Sequence, residues 1–270
     1  MDELWEVRAV KYAERNTRTR ADSFIFDDDH ASPHPMDYFV WVLTNGPRTI
    51  VVDTGYDADE AARRDRPILR DPAKALEDVG IRAEAVEEVI ITHLHYDHAG
   101  GLHRFPNAKF HLQTSEMAYA TGPCMCHGTL QLPYTADHIC EMVQNVYSGR
   151  VIFHDGDGAV APGITLHRIG GHARGLMAVR VKTQAGWLCL ASDATHYYEN
   201  VLLGKPFPIV VDLQDMLDGF NTLRQLASEP SLIVPGHDPL VRRAFPQAEC
   251  PHAWRLDLGP AVGFDFTQAP

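Results

Sequence analysis

The sequence lacks the features that mark membrane, secreted and nucleic-acid-binding chains. No apolar run approaches the roughly 20 residues that a bilayer-spanning helix needs. The first six residues carry neither a basic start nor an apolar stretch, so we expect no signal peptide. The five cysteines are an odd number and do not form a secreted disulfide framework. A formal net charge of −12 argues against nucleic acid, because phosphate binding needs a basic face. We therefore expect a cytoplasmic protein that binds neither nucleic acid nor membrane.

Repeats, low-complexity tracts and linkers are also missing, so we expect one domain over residues 1–270. Residues 115–150 are interpreted as a mostly helical, cap-like insertion. Helices are predicted from Asp71-Pro72 to Gly80 and at about 215–227. Strands are predicted at 38–43, 49–53, 89–92, 109–112, 151–153, 165–169, 177–182, 187–191 and 231–234. This order predicts an α/β fold with two sheets packed face to face and helices outside, since a doubly wound sheet would alternate more regularly.

The segment His93-Leu94-His95-Tyr96-Asp97-His98 is the most informative stretch that is present. It follows the apolar run 89–92 and precedes Ala99-Gly100-Gly101, which predicts a strand, a tight loop and a helix. His93 and His95 share one face of extended chain, and Asp97 and His98 lie at the first turn of the helix. Imidazole and carboxylate together suit Zn²⁺ and similar ions, so each pair is predicted to face its own metal ion. The alternative is a solvent-exposed, His-rich turn.

Three further motifs each place one metal-binding side chain at the end of a predicted strand. They are Ile169-Gly170-Gly171-His172, Leu190-Ala191-Ser192-Asp193 and Val234-Pro235-Gly236-His237. Taken singly, each histidine is more often a turn residue than a ligand, and Asp193 alone could be a helix N-cap. Their order after H-x-H-x-D-H makes chance a poor explanation.

Together these motifs resemble the metallo-β-lactamase superfamily, and most closely its N-acyl homoserine lactonase branch. The resemblance runs from about Tyr38 to His237 and includes the early strand-end motif at 51–55. It implies an αβ/βα four-layer sandwich. By the resemblance, one metal is bound by His93, His95 and His172, the second by Asp97, His98 and His237, and Asp193 bridges the two. Asp53 is expected to orient a ligand histidine instead of binding metal itself.

The resemblance also implies a reaction. Two divalent ions per chain, with Zn²⁺ expected and Fe, Mn or Co as alternatives, would activate a water that opens N-acyl homoserine lactone or a related small lactone. Asp97 is placed to carry a proton to the leaving alkoxide. An aspartate at 193, where zinc β-lactamases have cysteine, disfavours antibiotic hydrolysis. The alternatives are a hydrolase of another small ester, thioester or phosphoester and, less favoured, a non-enzymatic redox or signalling module. A homodimer is left open.

Two positions depart from the lactonase pattern. His196 stands where that branch has a tyrosine that binds the substrate carbonyl, and histidine can donate the same hydrogen bond. We predict this catalytic role for His196, with a backbone-bonded loop residue as the alternative. Leu176 replaces a second histidine that thioesterases of the superfamily often keep, which weakly disfavours that activity.

Other residues carry weaker expectations. The segment Cys124-Met125-Cys126-His127 is expected to pack near the pocket mouth, because no partner Cys pair exists for a third metal. The acidic run 27–29 with His30 is interpreted as a solvated loop. Candidates for an apolar pocket wall, each more probable as core, are Phe24, Phe26, Met36, Tyr119, Phe207 and Pro208.

Overall fold

Two β-sheets packed against each other form the centre of the molecule. The computed structural model describes residues 3–268 and residue 270, and every structural statement below concerns those residues. The larger sheet has the order β12-β1-β2-β3-β4-β5-β6. Its strands are β1 Glu6–Arg15, β2 Met36–Asn45, β3 Arg48–Val52, β4 Glu88–Ile90, β5 Lys109–Gln113, β6 Val151–His154 and β12 Ala253–Arg255. Strands β3 to β6 are parallel, and the remaining pairs of this sheet are antiparallel.

The smaller sheet has the order β11-β10-β9-β8-β7. Its strands are β7 Gly158–Ala161, β8 Ile164–Arg168, β9 Met177–Thr183, β10 Gly186–Ser192 and β11 Ile233–Pro235. Strands β10 and β11 are parallel, while β8 and β10 are each antiparallel to β9. Strands β8, β10 and β11 therefore end at the same edge of the sheet.

Strand β2 shows why the layers stack. Its side chains alternate, so Phe39 and Trp41 enter the core between the sheets while Val40 and Val42 enter a second core against helices. A strand covered on both faces has to be apolar along its length, as this one is. The alternation produces four layers, and the αβ/βα sandwich expected from the sequence is confirmed.

Helices cover the outer face of each sheet. They are α1 Ala58–Arg64, α2 Pro72–Glu77, α3 Tyr96–Ala99, α4 Thr114–Ala120, α5 Gly128–Gln131, α6 Ala136–Tyr147, α7 Tyr198–Leu203, α8 Leu213–Leu226 and α9 Leu240–Ala244. Helix α8 buries Met216, Phe220 and Leu223, which recur at helical spacing on one face. Asp71 caps α2 as predicted, accepting bonds from the backbone N–H groups of residues 73 and 74. Within the described residues the longest helix, α8, has 14 residues, and no helix has the length and apolarity to cross a bilayer.

The structure corrects the boundaries of two predicted elements and contains several strands and helices that were not predicted. Helix α2 ends at Glu77, three residues before Gly80, and the strand predicted at 231–234 begins only at Ile233, because a 3-10 turn at Pro230–Leu232 precedes it. The sequence analysis also missed β1, β7, β12, α1, α7 and α9. Strand β1 was missed because Arg8, Lys11 and Glu14 interrupt its apolar residues.

Candidate metal centre

The predicted ligand residues lie just beyond the ends of strands in both sheets. His93 follows β4, His172 follows β8, Asp193 follows β10 and His237 follows β11. Because these strand ends meet at one edge of the sandwich, residues 144 positions apart in the sequence, from 93 to 237, come together. The structure brings all seven predicted ligands into one buried cluster, each at most 8% exposed.

The first group of donors consists of His93, His95 and His172. One ring nitrogen from each lies within 4.8 Å of the others, and all three residues are buried. The Nδ1 atom of His95 is 2.9 Å from Nε2 of His172. The buried Nε2 atom of His93 has no hydrogen-bond partner among the described residues. Three converging imidazole lone pairs form a donor set that suits a divalent transition-metal ion.

The second group consists of Asp97, His98 and His237. Helix α3 supplies the first two from its first turn, as predicted. Asp97 Oδ2 is 3.8 Å from His98 Nε2 and 3.7 Å from His237 Nε2. This mixed nitrogen and oxygen set suits the same class of ion.

Asp193 lies between the two groups. Its Oδ1 atom is 3.3 Å from His98 Nε2 and 3.1 Å from His237 Nε2, while its Oδ2 atom is 3.3 Å from His172 Nε2. Each carboxylate oxygen therefore faces one group, which is the arrangement a bridging ligand needs. Buried Oδ1 has no hydrogen-bond partner among the described residues, and neither has His98 Nε2. Such unsatisfied buried acceptors fit a pair of cations at this position.

Hydrogen bonds behind the cluster fix the orientation of three imidazoles. Nδ1 of His98 donates to Asp53 Oδ2 at 2.7 Å, as expected for Asp53. Nδ1 of His172 donates to the carbonyl of Ile209 at 2.7 Å, and Nδ1 of His237 donates to the carbonyl of Asp37 at 2.9 Å. With the proton held on Nδ1, each Nε2 presents its lone pair to the centre. Asp53 itself has a φ of +62°, which a non-glycine residue rarely adopts.

The electrostatics of the cluster reflect dense packing of ionisable groups. Burial lowers the pKa of His93 and His95 well below the usual imidazole value, and neighbouring histidines lower it further. His98 also loses solvation, but Asp193 and Asp53 outweigh that loss and raise its pKa. Burial acts to raise the pKa of Asp193, yet His237 and His98 hold it well below its usual range. Buried carboxylates need a counter-charge, and neutral imidazoles offer lone pairs, so divalent cations would suit both kinds of group.

Gly236 is required by the close approach of the chain to Asp193. A Cβ atom at position 236 would lie 2.6 Å from Asp193 Oδ1 and 2.9 Å from the backbone of Ser192. Any side chain there would displace the carboxylate of Asp193. Gly236 therefore allows two predicted ligands, Asp193 and His237, to lie close together.

His196 lies at the edge of the cluster. Its Nε2 atom is 3.0 Å from Asp193 Oδ2, and its ring packs on Phe207 with 4.0 Å between centroids. Burial lowers the pKa of His196 to about 3, although Asp193 opposes the shift. Its Nδ1 is buried without a partner in the described part of the chain. One donor atom each from His172, Asp193 and His196 also lies within 4.8 Å of the others, so His196 is close enough to the predicted ligands to join them in holding a metal ion.

A cavity of about 50 Å³ opens onto the cluster. Met36 and Pro208 line it, as two of the six predicted wall residues. The other four do not, and Phe26 is 87% exposed. Two arginines that the sequence analysis did not single out, Arg18 and Arg66, also line it.

A larger cavity of about 690 Å³ lies beside the first, and Arg66 lines both. Met125 contributes to its wall, whereas Cys124, Cys126 and His127 line neither cavity, so the expectation that the segment at 124–127 packs near the pocket mouth stays a prediction. Within the described residues, no cluster of three metal-binding side chains includes Cys124, Cys126 or His127.

Glu116 is a supporting residue that the sequence analysis missed. Its buried carboxylate accepts hydrogen bonds from the N–H of Leu94 at 3.0 Å, the N–H of Gly175 at 2.8 Å and the hydroxyl of Tyr134 at 3.0 Å. It thereby ties the loop of His95 to the loop of His172. No local sequence signal marks such a residue, since its partners lie 18 to 59 positions away.

Comparison with known proteins identifies the protein family. A family model described as the metallo-beta-lactamase superfamily matches residues 35–237. This range contains all seven predicted ligands, and the chain belongs to that superfamily.

Individual relatives share only low sequence identity with this chain. The chain is 31% identical over 171 residues to the N-acyl homoserine lactonase AiiB of Agrobacterium fabrum, covering 60% of each chain. It is 26% identical over 185 residues to the probable metallo-hydrolase Rv2300c of Mycobacterium tuberculosis, covering 62% of this chain and 56% of that protein. The matches therefore span less than two thirds of the length of these relatives.

Solved structures of similar fold include a quorum-quenching N-acyl homoserine lactone lactonase, with a TM-score of 0.71 and 21% identity over 89% of this chain and 95% of the other. The dizinc quorum-quenching lactonase AidC gives a TM-score of 0.67 and 17% identity over 98% and 97%. At these identities the likeness shows the fold alone.

Proposed function

We propose that the protein is a dinuclear metal-dependent hydrolase that opens N-acyl homoserine lactone or a related small lactone. The observation that carries the proposal is the position of Asp193, whose two oxygens face two separate groups of buried donors. The same seven residues supply an imidazole-rich set suited to Zn²⁺. The lactonase relatives among the sequence matches favour an ester bond as the target.

In this proposal each group of donors would hold one divalent ion, and both groups would share Asp193. The ions would supply Lewis acidity and an activated water at neutral pH. The protein's part is to orient the ligands, exclude bulk water and move one proton.

Asp97 is the proposed proton carrier. At 8% exposure it is the most exposed of the seven ligand residues, and it lines the small cavity. Its backbone carbonyl accepts a hydrogen bond from the hydroxyl of Tyr12 at 3.0 Å, which fixes the turn that carries it. A carboxylate held at the boundary between ligands and cavity can accept a proton from water and pass it to a leaving alkoxide.

His196 is the proposed donor to the substrate carbonyl. In the structure its Nε2–H points at Asp193 Oδ2, which accepts it at 3.0 Å. A carbonyl oxygen that enters the cavity would take over this hydrogen bond. The packing of the ring on Phe207 keeps it at the cavity wall.

Further expectations complete the proposal. We keep Zn²⁺ as the expected metal, one domain over residues 1–270 and the segment 115–150 as a cap beside the site. A homodimer is left open, and the alternatives of another small ester, thioester or phosphoester are kept as outcomes of the test.

Metal analysis and a substrate panel test the proposal. Protein purified without chelators should contain about two metal ions per chain, and the metal-replete protein should hydrolyse lactones faster than thioesters, phosphoesters and β-lactams. A metal content near zero that does not rise on adding Zn²⁺, Mn²⁺ or Co²⁺ would exclude a metallo-hydrolase. Two ions per chain with turnover of another ester class alone would replace the lactone with that class.

A further inference from the structure

Arg18 is a buried cation at the cavity wall, and no carboxylate among the described residues lies within 4.0 Å of its guanidinium group. It is 8% exposed, and its Nη2 donates to the carbonyl of Asp22 at 2.5 Å and to Ser23 Oγ at 3.4 Å. Its buried Nε atom has no hydrogen-bond partner in the described part of the chain. The carboxylate of Asp22 is directed elsewhere, since it accepts from the N–H of Thr19 at 2.9 Å.

Lys11 provides a direct contrast within the same protein. It is also 8% exposed, but its Nζ lies 2.6 Å from the carboxylate of Glu14 and 2.8 Å from that of Asp37. Burying a charge without a partner costs several kcal/mol, so buried cations are usually paired in this way. Across residues 3–268 and 270, Arg18 has no such ion pair within 4.0 Å.

Arg66 is a second arginine without a carboxylate partner in the described part of the chain, although it is only partly buried. It lines the small cavity and the larger one beside it, and its Nη1 donates to the hydroxyl of Tyr96. No carboxylate in the described residues lies within 4.0 Å of it. Its neighbours Arg63 and Arg64 both pair with the buried carboxylate of Glu60, so the unpaired state is specific to position 66.

The small cavity therefore has two arginines in its wall that form no ion pair within 4.0 Å in the described residues, although the wall also contains Asp22 and the proposed metal ligands Asp97 and Asp193. Guanidinium groups bind carboxylate and phosphate oxygens through paired hydrogen bonds. A neutral acyl chain supplies no oxygen anion to these arginines. An anionic substituent on the substrate would supply the carboxylate or phosphate oxygens that neither arginine has as an ion-pair partner.

We propose that Arg18 and Arg66 bind an anionic group of the substrate, so that the substrate class is a small lactone or ester bearing a carboxylate or phosphate. The proposal rests on the proposed hydrolase function and names which members of that class the site selects. It assigns specificity to two residues outside the set of metal ligands.

The test uses substrates that differ only in charge. The metal-replete enzyme is assayed with γ-butyrolactone-γ-carboxylate and with the methyl ester and amide of that carboxylate. We expect kcat/KM for lactone opening to be about 10- to 100-fold higher for the charged lactone, as for one or two charge-assisted hydrogen bonds. Arg66→Gln and Arg18→Gln should each reduce this preference at least about 10-fold, while lactone opening in the neutral compounds and metal content stay unchanged.

Arg63→Gln is the matched control, because Arg63 lies three positions from Arg66, is 54% exposed and pairs with Glu60. Its preference should stay within about twofold of wild type. Since Arg18 is buried, Arg18→Lys is a second variant that retains the charge, and it should keep part of the preference if Arg18→Gln does not fold. Equal turnover of charged and neutral lactones by wild type would overturn the anion site and leave the lactonase proposal standing.

Binding of unreactive analogues separates the two proposals. Calorimetry with tetrahydrofuran-2-carboxylate, tetrahydrofurfuryl phosphate and neutral tetrahydrofurfuryl alcohol reports anion binding without turnover, and the two anions distinguish carboxylate from phosphate. Binding of either anion that both Gln variants weaken, in a protein that opens no lactone, would support the anion site and refute the lactonase proposal. Anion binding that is the same in wild type and both variants would place the anion on the metals and overturn the role of the arginines.

Discussion

The floor and the rim of the small cavity are built in different ways. The floor, defined as the seven proposed ligands, is buried throughout and lies at strand ends with hydrogen-bonded support behind three of its imidazoles. The rim, defined as Arg18, Met36, Arg66, Pro133 and Ile209, comes from four separate loops and the first residue of β2, and Ile209 is 47% exposed. The family match over residues 35–237 covers the whole floor but leaves out Arg18. The match includes the other four rim residues, so Arg18 is the one rim residue on which the family match gives no information.

Asp193→Ala should have the largest effect, because it removes the carboxylate shared by the two groups of the floor. We expect loss of measurable hydrolysis and loss of both metals, since the remaining donors no longer share a negative charge. Elemental analysis and the lactone assay measure the two effects. Asp157→Ala, at a 67% exposed carboxylate on the surface, is the control and should change neither. Retention of one ion with near-normal turnover would show that Asp193 does not bridge.

His196→Phe tests a residue of the cavity wall that lies beside the floor. We expect kcat to fall about 10- to 1000-fold, in the range for loss of one oxyanion donor, with metal content unchanged. His196→Tyr should keep substantial activity, because a phenol can donate the same bond. His167→Phe, at a surface histidine paired with Asp157, is the control. Since His196 Nε2 is 3.0 Å from Asp193 Oδ2, loss of metal in the Phe variant would instead identify it as a ligand.

The difference between floor and rim also explains what the sequence could predict. The ligands carry local signals: His98 lies between a strand and a Gly-Gly turn, and His237 follows Pro-Gly at a strand end. Glu116 carries none, because its partners lie far away in the chain: Gly175, for example, is 59 positions away. Arg18 bonds to the nearby Asp22 and Ser23, and its sequence neighbours do not reveal that it lines the same cavity as Arg66. Local periodicity contains no information about such contacts.

The strands of the fold likewise differ in whether their signal is local or depends on distant residues. Apolar strands such as β2 were predicted because both of their faces are buried. Strand β1 was missed because partners outside the strand neutralise its charged side chains: Arg8 pairs with Glu249, and Lys11 pairs with Asp37. These ion pairs form only after folding, so the sequence alone gives β1 a polar pattern.

Asp53→Asn should have a smaller effect on the floor, since it weakens support for a ligand without removing one. Nδ1 of His98 would then face an amide that accepts more weakly than the carboxylate now 2.7 Å away. We expect affinity for the second metal to fall about 10- to 100-fold, as for other partners of metal-bound histidine. Competition with a chelator measures it. Asp218→Asn, an exposed carboxylate on α8, is the control, and equal affinity in both variants would contradict an orienting role for Asp53.

Glu60→Gln should have the smallest effect on activity. Glu60 belongs to neither the floor nor the rim, and the substitution acts on the stability of the fold. Glu60 is 4% exposed and accepts hydrogen bonds from Arg63, Arg64 and Thr135, which joins α1 to the start of α6. Burial alone would raise its pKa, but these bonds prevail and lower it to about 2. A carboxyl group whose folded-state pKa is depressed stabilises the fold above its unfolded value of 4.5, and the stabilisation is lost as pH falls towards 2.

The free energy of unfolding of Glu60→Gln should therefore be lower than wild type by about 1 to 3 kcal/mol at pH 7. The difference should shrink as pH decreases from 4.5 towards 2, because protonation of Glu60 makes wild type resemble the variant. Denaturant unfolding of both proteins at several pH values measures this. Glu77→Gln, in the more exposed pair with Lys74 on α2, is the matched control and should cost no more than about 1 kcal/mol. A difference between Glu60→Gln and wild type that is constant with pH would show that packing, and not the charge of Glu60, holds α1 to the start of α6.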